Sequence, residues 1–271
     1  MQHLPEHLSY SALSRYEECP RSWYLSYAKK AEPRMTWFFP MGTAVHTSIE
    51  SYIETGDVPK FEDIFYPLVA KQIKIDPVDV NWLSAGPQDN PTMRAKAVDL
   101  GKRCVENAVK FLEDIDVWEV EYDATGTLPG CELPTKAFID VVGEHKKHGP
   151  VIVDWKSGKS KPKNNLQLET YAVLWNKDRM SDRMKIDIGL WAMLNPDAST
   201  ARPVKGLSQV DASALGARYQ KAYEGMKARI YKAKPSFGCK FCIQSPNCLL
   251  EAGPTIRAKY YDKSSEEGFP F

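Results

Sequence analysis

The feature that most constrains this sequence is a change from helical to β periodicity near residue 116. Three runs of β-branched and aromatic residues follow one another at 117–126, 133–145 and 150–156, and turn residues separate them. Such runs predict three successive strands, paired as antiparallel neighbours. A helical stripe at 164–177 and a fourth strand at 185–194 complete a β-β-β-α-β order. This order indicates an α/β domain with a mixed central sheet.

The segments on either side of this core have different patterns. Residues 1–115 predict mainly helices, including 41–56, 61–74 and about 91–112, with a Pro- and Gly-rich loop at 76–91. A long basic helix is predicted at 209–232. We therefore expect a helical N-terminal part at 1–115, a core at 116–235 and a Cys-rich region at 236–271. The chain length suits one compact unit.

Charge and hydropathy narrow the possible functions. The chain has 36 Lys and Arg against 35 Asp and Glu, so its net charge does not indicate a polyanionic partner. We expect a cytoplasmic protein without membrane contact, because no signal-peptide pattern or long apolar run is present. Basic residues do cluster at 145–163 and at 202–234. Each cluster is either a solvated face or a surface that follows a phosphate backbone.

Two acidic residues stand where predicted strands end. Asp140 ends the run "KAFID" and Asp154 ends "VIVD", while Lys156 follows on the same side of the extended chain. Two neighbouring carboxylates repel each other, and a divalent cation such as Mg²⁺ or Mn²⁺ removes that cost. The lysine can then orient a water molecule or stabilise the transition state. The pattern predicts a phosphodiester hydrolase, and an exposed salt bridge is the alternative.

The cysteines suggest a second metal site. Four are candidate ligands, three in a Cys-x2-Cys-x5-Cys pattern and one far away: Cys239, Cys242, Cys248 and Cys19. Structural disulfides are rare in the cytoplasm, whereas four thiolates can bind zinc or a 4Fe-4S cluster. The chemistry of the thiols alone does not choose between these. Cys104 and Cys131 are interpreted as unligated.

These motifs together resemble the PD-(D/E)xK nuclease superfamily. Within it they are most similar to the RecB-like branch, which includes iron–sulfur exonucleases of CRISPR adaptation and AddB-type nuclease domains. Four motifs occur in the order of that branch: "GTAVH" ending at His46, the strand ending at Asp140, "DWK" at 154–156, and Gln167 with Tyr171 in "QLETY". Ile139 stands where the motif name has Pro. The likeness covers roughly residues 9–250 and implies a restriction-endonuclease-like core.

The resemblance implies roles for individual residues. The implied metal ligands are His46, Asp140, Asp154 and the backbone carbonyl of Trp155. The implied catalytic residues are Asp140, Asp154, Lys156, Gln167 and Tyr171, the last two positioning the DNA strand or the lysine. Glu50 shares the helical face of His46 and is either a weaker ligand or an ordinary surface acid. A structural histidine, and a core tyrosine beside a surface glutamine, are the alternatives for the helical motifs.

The resemblance also implies cofactors, substrate and partners. It favours a 4Fe-4S cluster on the four cysteines, with zinc as the alternative. It implies a Mg²⁺- or Mn²⁺-dependent DNA exonuclease that acts on single strands or DNA ends. The expected partners are recombination or CRISPR-adaptation proteins, and the chain has the size of phage-encoded members. The alternatives are a non-catalytic DNA-binding or assembly factor on the same fold, an endonuclease, or a nuclease that acts on RNA.

Overall fold

A computed structural model describes most of the chain. The described residues are 4–33, 37–72, 90–177, 184–236, 238, 239, 242–245, 247 and 248. Most of the loop predicted at 76–91, the predicted end of the helix at 61–74 and the tail after residue 248 lie outside them.

Helices make up the N-terminal part, as predicted. They are α1 (Tyr10–Glu18), α2 (Pro20–Trp23), which continues as a π turn (Tyr24–Ala28), α3 (Phe38–Thr55), α4 (Phe61–Gln72) and α5 (Asn90–Leu112). The side chain of Ser9 caps α1 by accepting a hydrogen bond from the N–H of Ala12. Gly56 ends α3 in a left-handed conformation with a φ of 80°, which glycine adopts without a steric penalty.

The core contains a mixed sheet of five strands. Its order is β2 (Ile115–Asp123), β4 (Phe138–His145), β5 (Gly149–Lys156), β6 (Ile188–Met193) and β7 (Val204–Lys205). A separate pair is formed by β1 (Leu8–Ser9) and β3 (Thr135–Lys136), which run parallel. The first three strands of the sheet are antiparallel neighbours, as predicted, and β6 pairs with β5 in parallel. Helix α6 (Leu166–Asn176) connects β5 to β6, and α7 (Ala212–Lys227) follows the sheet.

The α/β fold class with a mixed sheet is confirmed, and the differences lie in element boundaries. The run predicted as one strand at 133–145 is divided into β3 and β4, which belong to different sheets. Helix α7 is shorter than the predicted 209–232. It begins after Asp211, whose carboxylate accepts hydrogen bonds from the N–H groups of Ser213 and Ala214. This aspartate is a typical N-cap that fixes the start of the helix.

Two hydrophobic clusters pack on the sheet. Successive residues of β5 alternate between them, because side chains alternate across a strand. Val151, Val153 and Trp155 join the cluster that contains α3 and α5, whereas Ile152 joins the cluster of α1, α6 and α7. The C-terminal end of β5 therefore lies between helices of both layers. None of the described helices combines the length and apolar character that a membrane crossing requires.

Candidate active site

The start of β4 and the end of β5 bring the two predicted aspartates together. The prediction that Asp140 ends its strand is wrong, because Val141 and Val142 continue the pairing with β5. Val141 pairs with Val153, so the next position along each strand sets Asp140 opposite Asp154. Both residues are buried, with 7% and 2% relative exposure. The backbone N–H of Trp155 donates a hydrogen bond to Oδ2 of Asp140 at 2.7 Å. The orientation of Asp140 is therefore fixed by the neighbouring strand.

Helix α3 adds His46 to this pair, as the "GTAVH" motif predicted. The helix buries Val45 and Ile49 in the core, which leaves His46 at the strand ends. Its Nδ1 lies 3.2 Å from Oδ1 of Asp140. Burial lowers the pKa of His46, but the hydrogen bond to Asp140 and the surrounding carboxylates outweigh burial and raise it. The site thus attracts positive charge.

The third member of the cluster, Glu121 on β2, was missed in the sequence analysis. Ligand atoms of His46, Glu121 and Asp140 all lie within 4.8 Å of one another. Burial raises the pKa of Glu121, and the charge of Asp140 raises it further. Glu50 is close enough to raise that pKa, but it is not part of the three-residue group found among the described residues.

An unusual backbone conformation distinguishes Glu121. Its φ is 46°, in the left-handed region that a non-glycine residue adopts at an energetic cost. The pairing of β2 with β4 is irregular between Val117 and Glu119. The sequence shows only three alternating acids, at positions 119, 121 and 123, and alternation alone does not distinguish one from the others. The distinguishing signal is therefore the backbone, which the sequence does not display.

The predicted lysine lies directly beside the second aspartate. Nζ of Lys156 is 2.5 Å from Oδ2 of Asp154. That oxygen is buried and has no partner with hydrogen-bond geometry, so the contact is an ion pair with an unsatisfied acceptor. Burial raises the pKa of Asp154, and the charge of Asp140 raises it further, whereas Lys156 and His46 lower it. The ammonium therefore only partly compensates the buried carboxylate.

Helix α6 supports the lysine through the predicted Gln167 and Tyr171. Nζ of Lys156 donates a hydrogen bond to Oε1 of Gln167 at 3.1 Å, and Nε2 of Gln167 donates to the Tyr171 hydroxyl at 2.8 Å. Burial raises the pKa of Tyr171, as does the charge of Asp154, so the phenol stays neutral. This chain of contacts fixes the ammonium over the end of β5. Of the two predicted roles for the pair, it favours positioning the lysine.

The donor set fits a hard divalent cation. Carboxylate oxygens suit Mg²⁺ and Mn²⁺, and one imidazole is compatible with Mn²⁺. Burial and the charge of Asp140 raise the pKa values of Glu121 and Asp154 even though Lys156 contacts Asp154, so these carboxylates favour additional positive charge. A bound cation would supply it. The backbone carbonyl of Trp155 stays a predicted ligand.

Replacing Glu121 with glutamine is expected to weaken Mn²⁺ binding about 10- to 100-fold, because a charged donor is lost at constant shape. Isothermal titration of the purified variant with Mn²⁺ measures this change. Glu119→Gln is the matched control, since Glu119 is an exposed acid on the same strand. Equal affinities for the Glu121 variant and the wild type would contradict a ligand role for this carboxylate.

The four predicted cysteines lie around a separate cavity. Cys19, Cys239, Cys242 and Cys248 all line one cavity of about 770 Å³. The N–H of Lys234 donates to Sγ of Cys19 at 3.5 Å, and the N–H of Ser236 donates to Sγ of Cys239 at 3.3 Å. Burial raises the pKa of Cys248, and the other three thiols raise it further. The fold therefore places the four thiols around one cavity, although no three of their sulfur atoms lie within 4.8 Å of one another among the described residues.

The two remaining cysteines are separate from this cavity. Cys104 and Cys131 are buried in the two hydrophobic clusters, and burial raises the pKa of both thiols. They are suited to packing, which agrees with their interpretation as unligated.

Comparisons with known proteins support the motif analysis. The chain matches the PD-(D/E)XK nuclease superfamily over residues 7–248. No curated protein matches it. Nucleases of this superfamily depend on divalent metals, and the buried cluster of His46, Glu121 and Asp140 supplies a possible acidic metal site. The matched region contains the helical N-terminal part, the mixed sheet and the four cysteines. The chain therefore belongs to the PD-(D/E)XK nuclease superfamily.

Proposed function

We propose that this protein is a Mg²⁺- or Mn²⁺-dependent DNA exonuclease that acts on single strands or DNA ends. The observation that carries the proposal is the buried contact between Asp154 and Lys156 beside His46, Glu121 and Asp140. A buried ion pair and a cluster of acids both reduce stability unless they have further partners. A cation and a phosphodiester would provide those partners. Exonuclease action is supported by the motif order shared with the RecB-like branch.

Each residue has a defined task in this proposal. His46, Glu121, Asp140 and Asp154 would hold the cation, which would supply Lewis-acid stabilisation of the phosphate charge. Lys156 orients the attacking water or stabilises negative charge that develops on the phosphate. Gln167 and Tyr171 keep the lysine in place through their hydrogen bonds.

We further propose that the four-cysteine cavity holds a 4Fe-4S cluster, with zinc as the alternative. Four thiols from opposite ends of the described chain line the cavity, and thiolates are the usual ligands of both groups. The spacing shared with the RecB-like iron–sulfur nucleases supports the cluster. Its role in this proposal is structural, because it would join the N-terminal helices to the segment after α7.

Linear and circular DNA are expected to distinguish exonuclease activity from the other possibilities. With Mn²⁺, the protein should shorten a labelled linear single strand and leave a circular single strand intact, because only the former has ends. Denaturing gels measure both reactions. Cleavage of the circle would identify an endonuclease. An absence of cleavage of every DNA with either Mg²⁺ or Mn²⁺ would refute the catalytic proposal and favour a DNA-binding factor. Matched RNA strands test the choice of nucleic acid.

A further inference from the structure

Several basic residues of the two sequence clusters are paired with acidic side chains. These ion pairs involve both clusters seen in the sequence: Lys159 with Asp197, Lys163 with Glu18, and Arg218 with Glu17. Other basic residues of these clusters, among them Lys161, Arg202 and Lys205, form no ion pair with an acidic side chain among the residues that the structure describes. A lysine or arginine that is paired with an acid has little net charge left to attract an anion. The unpaired residues therefore attract an anion more strongly than the paired ones.

These three unpaired cations line one pocket. We call it the basic pocket; it measures about 380 Å³, and its walls include Lys161, Pro162, Asn165, Trp191, Arg202 and Lys205. The two prolines at 162 and 203 restrict the backbone of its rim. The cations come from two separate segments, the loop after β5 and the segment around β7. Lys205 pairs with Ile188, which packs in a different hydrophobic cluster from Trp191, so the side chain of Lys205 lies on the opposite face of the sheet. Lys161 and Arg202 are therefore the cations that the pocket can offer beside Trp191.

The basic pocket adjoins the candidate active site through Trp191. This residue pairs with Asp154 across β5 and β6, so both side chains lie on one face of the sheet. Nζ of Lys156 lies 5.0 Å from the centre of the Trp191 ring. The indole N–H donates to Oδ1 of Asn165 at 3.4 Å, which holds the ring between the two sites. Two strand spacings, about 10 Å, separate β5 from β7.

We propose that the basic pocket binds a backbone phosphate of the DNA strand that is cut. This phosphate would lie on the other side of Trp191 from the phosphodiester that is hydrolysed. This inference rests on the proposed nuclease function and adds a subsite to it. A phosphate would neutralise cations that otherwise repel one another, and it would fix the direction in which the strand crosses the sheet. Lysine and arginine without acidic partners are the groups that follow a nucleic-acid backbone.

The test is a binding measurement that does not require cleavage. Fluorescence anisotropy of a labelled single-stranded oligonucleotide is recorded in EDTA, at several salt concentrations, for wild type and for the Lys161→Ala/Arg202→Ala double variant. Loss of this phosphate contact should weaken binding about 10- to 100-fold and make the slope of log K against log salt shallower by about 0.7. Lys71→Ala/Lys110→Ala removes the same charge from exposed positions on α4 and α5 and should leave the slope near the wild-type value.

Neutral phosphates identify the contacted position. A series of oligonucleotides, each with one methylphosphonate, should show one position whose neutralisation weakens binding to wild type but not to the double variant. Equal penalties in both proteins, or equal salt slopes for the double variant and its control, would overturn the subsite. Cleavage by wild type in Mn²⁺ is assayed separately. A protein that binds DNA through the basic pocket without cutting would refute the nuclease proposal and leave the phosphate site intact.

Discussion

Asp154→Asn is expected to abolish phosphodiester hydrolysis while leaving DNA binding nearly unchanged. The substitution removes a buried carboxylate that lies against Lys156 and opposite Asp140, and with it both a metal ligand and the partner of the lysine. The loss of several kcal/mol of transition-state stabilisation corresponds to a rate at least about 10³-fold lower. Cleavage of a labelled single strand in Mn²⁺ measures the rate, and anisotropy measures binding.

The same variant should be more stable than wild type without metal. Because the pKa of Asp154 is raised in the folded protein, the folded state binds more protons at this position than the unfolded chain, and stability falls as pH rises through the raised pKa. The amide has no charge to bury, so the advantage of Asp154→Asn should be small in acid and grow toward pH 8. Each kcal/mol corresponds to about 2–4 °C in Tm.

Two observations would contradict this account of Asp154. The first is cleavage by Asp154→Asn at the wild-type rate. The second is a gain in Tm with Mn²⁺ that is as large in the variant as in wild type, because a ligand role requires the variant to lose that gain. Asp99→Asn is the control, since Asp99 is an exposed acid of α5 paired with Arg103. Its cleavage rate and response to Mn²⁺ should match those of wild type.

Cys19→Ser is expected to empty the four-cysteine cavity and to lower stability strongly. Cys19 is the only one of the four cavity cysteines that comes from the N-terminal helices, so its loss should release the connection between the two ends. Wild-type protein purified without oxygen should contain iron and absorb light at about 400 nm. The Cys19→Ser variant should lose both the iron and the absorption. Elemental analysis and thermal unfolding measure these changes. The expected loss is several kcal/mol, in line with a structural metal site.

The unligated cysteines provide the control for this experiment. Cys131→Ala removes a buried thiol outside the cavity and should retain the wild-type iron content. A colourless wild-type protein that contains zinc would replace the cluster with the zinc alternative. A Cys19→Ser protein with full iron content and unchanged Tm would refute both kinds of site.

The sequence allowed prediction of features that depend on local pattern. The β-branched runs at 117–126 and 150–156 predicted strands because alternation and turn residues are local signals. Asp154 and Lys156 followed from their positions at the end of such a run, whereas Asp140 was predicted at the end of a strand and lies near the start of β4. The one strand that the pattern joined in error, 133–145, divides because Thr135 pairs with the distant Leu8 rather than with the main sheet. That partner lies more than 100 residues away, and no local signal indicates it.

Two parts of the site depend on tertiary structure and were not predictable. Glu121 reaches His46 and Asp140 through a left-handed backbone, whereas the sequence displays it as one of several equivalent acids. The basic clusters were visible in the sequence, but their ion pairs were not. Lys159 and Lys161 have the same charge and nearly the same position in the chain, and only the fold pairs the former with Asp197. The difference between a solvated face and a phosphate site therefore depends on contacts between distant segments.

The position of the cysteines has a consequence for biosynthesis. Cys19 leaves the ribosome more than 200 residues before Cys248, and translation at about 5–20 residues per second makes this a delay of roughly 10–50 s. The helices and strands between them are complete before the last thiol arrives. Assembly of the cysteine cavity is therefore a late step of maturation. The proposed ligand role of the four thiols then requires Cys19 to stay reduced on a nascent chain until its three neighbours have been synthesised.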